Sequence, residues 1–162
     1  MTWSKNPFVA FVILMMATIA IMGIRWTPAQ AETQVSKCVA FNDGTGSSLA
    51  HICAVVNFQR DADGTGGTIT LVRIYADGDL NAYFESKIED CDNLRIWNDK
   101  DVVKWRKDNA ECDLYKSAPR KTWYPDVDMH ATTTFNLGWT FYPKINGGPD
   151  PGYTHISIQA TL

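Results

Sequence analysis

Beyond residue 32 the chain alternates. In TTTFNLGWTFYP at 132–143, Phe135, Leu137, Trp139 and Phe141 fall on one parity, and Asn136, Gly138 and Thr140 on the other. This is the period-two pattern of a strand with one apolar face and one small or polar face. The end of the chain repeats it, with Ile156, Ile158, Ala160 and Leu162 interleaved with His155, Ser157, Gln159 and Thr161. KINGGPDPG, between them, is too rich in Gly and Pro for strand or helix, so the spacing predicts an antiparallel pair joined by a nine-residue loop. Six more segments read as strands: SKCVAFN, AHICAVVNFQR, TITLVRIYA, LNAYFESKI, LRIWN and VVKWRK. Turn residues arrive about every ten positions, and no window of useful length carries a helical period, although SKIEDCDNL can hold one helical turn. The pattern predicts an all-β, antiparallel β-sandwich of about eight strands with immunoglobulin-like or Greek-key architecture. No repeat, low-complexity tract or linker divides it.

Residues 1–31 follow another rule. Lys5 and the amino terminus give a positive start, Phe8 to Ile24 is an apolar or small run broken only by Thr18, and Pro28 precedes Ala29-Gln30-Ala31. These are the three parts of an export signal, with small residues at the two positions a signal peptidase reads. A retained anchor is the competing reading, because the run sits at the lower limit of about 17–25 residues for a spanning helix. The small-residue site and the proline favour cleavage, leaving Glu32 as the new terminus and 32–162 as one secreted domain without membrane attachment. Cleavage removes Lys5 and Arg25 and no acid, so the formal charge moves from −3 to −5. An acidic domain is poorly suited to neutralising phosphates, which argues against a nucleic-acid partner.

Cys38, Cys53, Cys91 and Cys112 all lie in the exported part. An even count in an oxidising compartment predicts two disulfides, and the absence of a C-x-x-C pair argues against a zinc knuckle or redox motif. Three pairings are formally possible. Cys38 and Cys53 lie symmetrically about the turn DGTGSS, so a hairpin centred there sets them opposite each other, with Val39 facing Ile52 and Phe41 facing Ala50. Cys91 then pairs with Cys112. The spacings do not fit the Cys-Trp-Cys arrangement of true immunoglobulin domains.

RDADGTGGT at 60–68 begins like a calcium loop, with Asp61, Asp63, Thr65 and Gly66 at its first, third, fifth and sixth positions. The resemblance then fails: position twelve, which must supply a bidentate carboxylate, is Val72, and the flanks read as strand. A hairpin turn is expected instead, with Asp61 and Asp63 as weak metal candidates and no cofactor required beyond a weak possibility of calcium. A looser calcium site could draw on Asp77, Asp79 or another acidic loop. His51, His130 and His155 form no paired-ligand pattern and are expected as separate surface or edge residues.

No nucleophile elbow, phosphate loop or dinucleotide fingerprint occurs. SAPRKTWYPDVDMH at 117–130 is expected as a loop that sets Trp123 and Tyr124 between the basic pair Arg120 and Lys121 and the acidic pair Asp126 and Asp128. Amphipathic aromatics beside charge suit a sugar ring or a protein partner, whereas the plainer role for Trp123 is to cover the end of the core. Residues 100–121 carry seven basic against four acidic residues. The expected function is non-catalytic binding of a surface carbohydrate polymer or an extracellular protein. Two alternatives remain: a small secreted hydrolase with paired carboxylates from separate strands, and a structural or inhibitory protein presenting the KINGGPDPG loop.

Overall fold

The protein is described by a computed structural model covering residues 30–42, 49–147 and 151–162. Residues 1–29 of the expected export segment lie outside them, as does the whole DGTGSS turn at 43–48. Among the described residues no helix is long and apolar enough to cross a membrane.

Among the described residues nine strands form two antiparallel sheets. The first contains β1 (Thr33–Asn42), β2 (Leu49–Arg60), β3 (Gly67–Gly78) and β6 (Arg120–Trp123) in that order, with β7 (Val127–Asp128) also paired to β3. The second runs β5 (Val103–Lys107), β4 (Cys91–Asn98), β8 (Thr134–Phe141), β9 (Thr154–Thr161). The β1–β2 register is the one expected from the cysteines, with Cys38 opposite Cys53, Val39 opposite Ile52 and Phe41 opposite Ala50. Both predicted disulfides are present, Cys38–Cys53 with Cα atoms 4.1 Å apart and Cys91–Cys112 at 5.6 Å.

One hydrophobic core takes side chains from both sheets. Val56, Phe58, Ile69, Val72 and Ile74 come from the first, and Leu94, Ile96, Phe135, Leu137, Trp139, Phe141 and Ile156 from the second. Phe58 meets Phe135 edge to face with centroids 5.3 Å apart, and Trp105 meets Trp123 at 5.6 Å, so the sheets touch through aromatic pairs in a sandwich-like arrangement. TITLVRI breaks strict alternation because a bulge opposite Asn57/Phe58 leaves Thr70 unpaired, letting both Ile69 and Val72 point into the core.

Three expectations are corrected. LNAYFESKI is not a strand: Leu80–Tyr83 is a single helical turn, α1, whose Ala82 amide donates to the Asp79 carboxylate. The rest of that segment makes only isolated bridges, Phe84 to Ile145 and Lys87 to Tyr115. The expected helical turn in SKIEDCDNL is absent, since Cys91 already opens β4. Finally, 117–130 is not an open loop, because backbone pairing to β3 turns Arg120–Trp123 into strand. β8 and β9 do pair as expected, although their connection runs longer, over 142–153.

Candidate functional site

The 60–68 stretch is the turn between β2 and β3. The Asp61 amide donates to the Gly66 carbonyl at 2.9 Å and Gly64 to the Asp61 carbonyl at 3.0 Å. The Asp63 carboxylate accepts from the Thr65 amide and hydroxyl, and these bonds hold it below the usual carboxylate range. Gly66, at φ +153°, is required because a Cβ there would lie 2.4 Å from the Met129 carbonyl oxygen. Asp61 faces His130 at 3.6 Å, and no group of three or more His, Cys, Asp or Glu side chains converges among the described residues. Asp77 meets His51 at 3.2 Å, while the His155 Nδ1 lies 3.0 Å from the Thr140 hydroxyl, so the three histidines have separate partners.

The four residues singled out at 117–130 diverge. Strand parity turns Trp123 inward onto Trp105, where it is half-buried against the core. The Lys121 ammonium donates to the Ala110 and Glu111 carbonyls at 2.8 and 2.9 Å, tying β6 to the short 3-10 turn at Asn109–Glu111. The Arg120 guanidinium lies over the Tyr75 ring, 5.7 Å from its centroid. Tyr124 stands out alone, 75% exposed. Lys121 and Trp123 share the inward face of β6, opposite Ile74 and Val72, while Arg120 lies opposite Tyr75 on the other parity.

A better-built surface lies on the outer face of the second sheet. Alternation sends Leu94 and Ile96 of β4 inward, which leaves Asn93, Arg95 and Trp97 outward. Pairing then builds three rows across the strands. Arg106, Arg95, Gly138 and Ser157 form one, Val103, Trp97, Asn136 and Gln159 the next, and Asn93, Thr140 and His155 the third. Gly138 has a structural purpose here: the far edge of the Trp97 indole lies over it, and a Cβ at that position would sit 2.9 Å from Cη2 and Cζ3. The Arg95 guanidinium in turn lies over the Trp97 ring, 5.0 Å from its centroid. The β4–β5 turn steadies this edge, as the Asn98 carboxamide oxygen accepts from the Lys100 and Val102 amides at 3.1 and 2.9 Å.

Two shallow hollows of about 190 Å³ each flank the Arg95–Trp97 stack. One is lined by Asn93, Arg95, Trp97, Gly138, Thr140, His155 and Ser157, and the other by Arg95, Trp97, Asp101 and Val103. Comparison with protein-family models, with curated proteins and with solved structures finds no match. Function has to be argued from this surface itself.

Paired carboxylates occur in two places. Glu89 and Asp113 are both buried, and the backbone amide of Leu114 favours the ionised Glu89 carboxyl. Burial, then the nearby Asp113 charge, pushes the Glu89 carboxyl up to about 9. Asp113 has partners of its own: it accepts from the Cys91 amide at 2.8 Å and pairs with Lys87 at 2.7 Å. Partial burial pulls the Lys87 ammonium down, but its bonds to Asp113 and Asp90 outweigh this and hold it above the usual lysine range. Asp90 and Asp92 line a third hollow of about 150 Å³ together with Asn109, Tyr142 and Tyr153. Lys87 pairs with Asp90 there at 2.8 Å.

Trp97 and Arg95 were missed in the sequence although their signal is present. LRIWN places a tryptophan on the polar parity of a strand, where the core cannot explain it.

Proposed function

We propose that this protein is a secreted, non-catalytic module that binds a surface carbohydrate polymer on the outer face of its second sheet. In this reading residues 1–31 direct export, and the two sheets stack as a β-sandwich with Greek-key crossovers between β3 and β4, β5 and β6, and β7 and β8. The two disulfides support it, since such bridges belong to oxidising compartments.

The observation that carries the proposal is the Arg95–Trp97 stack over Gly138, open on one side to a hollow with amide, hydroxyl and imidazole groups and on the other to one lined by Asp101 and Val103. A sugar offers an apolar ring face and a rim of hydroxyls, so an aromatic edge surrounded by neutral hydrogen-bonding side chains matches its chemistry. The hollows are shallow and smaller than the roughly 300–1,000 Å³ of enclosed small-molecule sites, which favours an extended chain lying across strands.

The hydrolase reading has less support, because the carboxyl held protonated, Glu89, is 0% exposed and cannot reach a substrate. Retention of the protein in affinity gels containing soluble polysaccharides tests the proposal. Trp97→Ala and Gly138→Val, which removes or displaces the indole, should abolish retention, and Tyr124→Ala should leave it intact. Retention unchanged by both of the first two variants would refute it.

A further inference from the structure

We propose that the polymer is anionic and that Arg95 seats a sugar carboxylate, as in a uronic-acid residue. This rests on the glycan reading above and specifies its ligand.

The inference comes from where the cations are satisfied. Arg106 pairs with Asp108, Lys107 with Glu111 at 2.5 Å, and Lys87 with Asp90 and Asp113. Lys121 is held by two carbonyls, and the Arg60 guanidinium donates to the Thr161 carbonyl at 3.1 Å. Arg95 and Arg120 are different: each lies over an aromatic ring, Trp97 and Tyr75 respectively, and among the described residues no carboxylate pairs with either, but of the two it is Arg95 that lines the hollows beside the stack. A cation–π contact uses the charge but none of the five N–H donors, so the planar fork keeps its capacity for a bidentate carboxylate.

The surroundings agree. The hollow running from Arg95 to His155 contains no acidic side chain, only Asn93, Thr140, Ser157 and their neighbours. Asp101 lies in the hollow on the far side of the stack, without an ion pair to Arg95. Gly138, directly across from Arg95 in the ladder, makes room for the Trp97 indole on which the guanidinium stacks. The formal charge, −3 for the whole chain and −5 without residues 1–31, does not oppose this, because beyond a Debye length of about 8 Å remote surface charges are largely screened. Trp97 is the positioning residue: stacking reduces the rotamer freedom that the arginine would otherwise lose on binding.

The test uses the full secreted chain with polygalacturonate, alginate and hyaluronan, each beside its carboxyl-reduced form, and a sulfated galactan free of uronic acid. Wild type should bind at least one native polymer about tenfold or more tighter than its reduced form, with affinity falling as salt rises. Arg95→Gln should abolish that difference while residual neutral binding persists. Arg95→Lys should restore only part of it, since an ammonium has the charge without the fork. Equal binding of native and reduced polymers by wild type would overturn the anion assignment and leave the glycan reading standing. Equal binding of the sulfated galactan would overturn the carboxylate assignment. Failure of wild type to bind any polymer would overturn both.

Discussion

Glu89→Gln is expected to stabilise the protein at neutral pH and to flatten its pH dependence. Glu89 sits between α1 and β4, where backbone bonds on either side, Ile88 to Leu114 and Asp90 to Tyr142, fix its place. Its carboxyl is buried and faces Asp113, with the Leu114 amide, Lys121 and Lys87 offsetting only part of the cost of ionisation. The folded state therefore keeps the proton up to about pH 9, whereas the unfolded chain releases it near 4.5. Because the folded value is raised, stability is greatest below the unfolded value and falls as pH rises towards 9. At about 1.4 kcal/mol per pH unit, the loss between pH 5 and 7 is roughly 3 kcal/mol. This is a large share of a domain's ~5–15 kcal/mol. Urea titrations followed by tryptophan fluorescence should show the wild-type midpoint falling by about 1–3 M over that range. The Gln variant, neutral in both states, should show a much smaller fall. A wild-type midpoint that is flat or rises from pH 5 to 8, or an unchanged slope in the variant, would refute the reasoning.

On the acidic side the sign reverses: Thr65, Thr133 and Lys107 hold Asp63, Asp99 and Glu111 below their ordinary values, so their contributions are lost as pH falls below about 4. Circular dichroism melts should therefore place the stability maximum in mildly acidic buffer. Replacing Cys38 and Cys53 together by Ala should cost about 3 kcal/mol, the loop-closure value for a bridge spanning 15 positions, measured by denaturant titration. Trp123→Ala should destabilise by about 2 kcal/mol, because it empties a half-buried contact with Trp105, whereas Tyr124→Ala should change the unfolding midpoint negligibly.

Much of the fold is readable because one-sided sheets write their burial into the sequence. Phe135 to Phe141 and Ile156 to Ile158 alternate cleanly, and the structure buries the parity that carries them. The Cys38–Cys53 register follows from hairpin symmetry alone. LNAYFESKI misleads because its apolar residues fit either period, and the choice of a helical turn rests on a local cap from Asp79. Residues 117–130 look like a loop because β6 is only four residues long and is defined by pairing with β3, a non-local event. The outer-face surface was hidden for a related reason. Trp97 and Gly138 are 41 positions apart, and only the β4–β8 register brings the indole over the glycine.

The decisive observation concerns which surface a polysaccharide touches. Amide chemical shifts of the labelled protein should be recorded during titration with soluble uronic-acid oligosaccharides. Shifts gathered on Asn93, Arg95, Trp97, Gly138, His155 and Ser157, and absent from Trp97→Ala, are the expected result. Shifts clustered instead around Tyr124 or around Asp92 and Tyr153, with the β4–β8–β9 face silent, would contradict it.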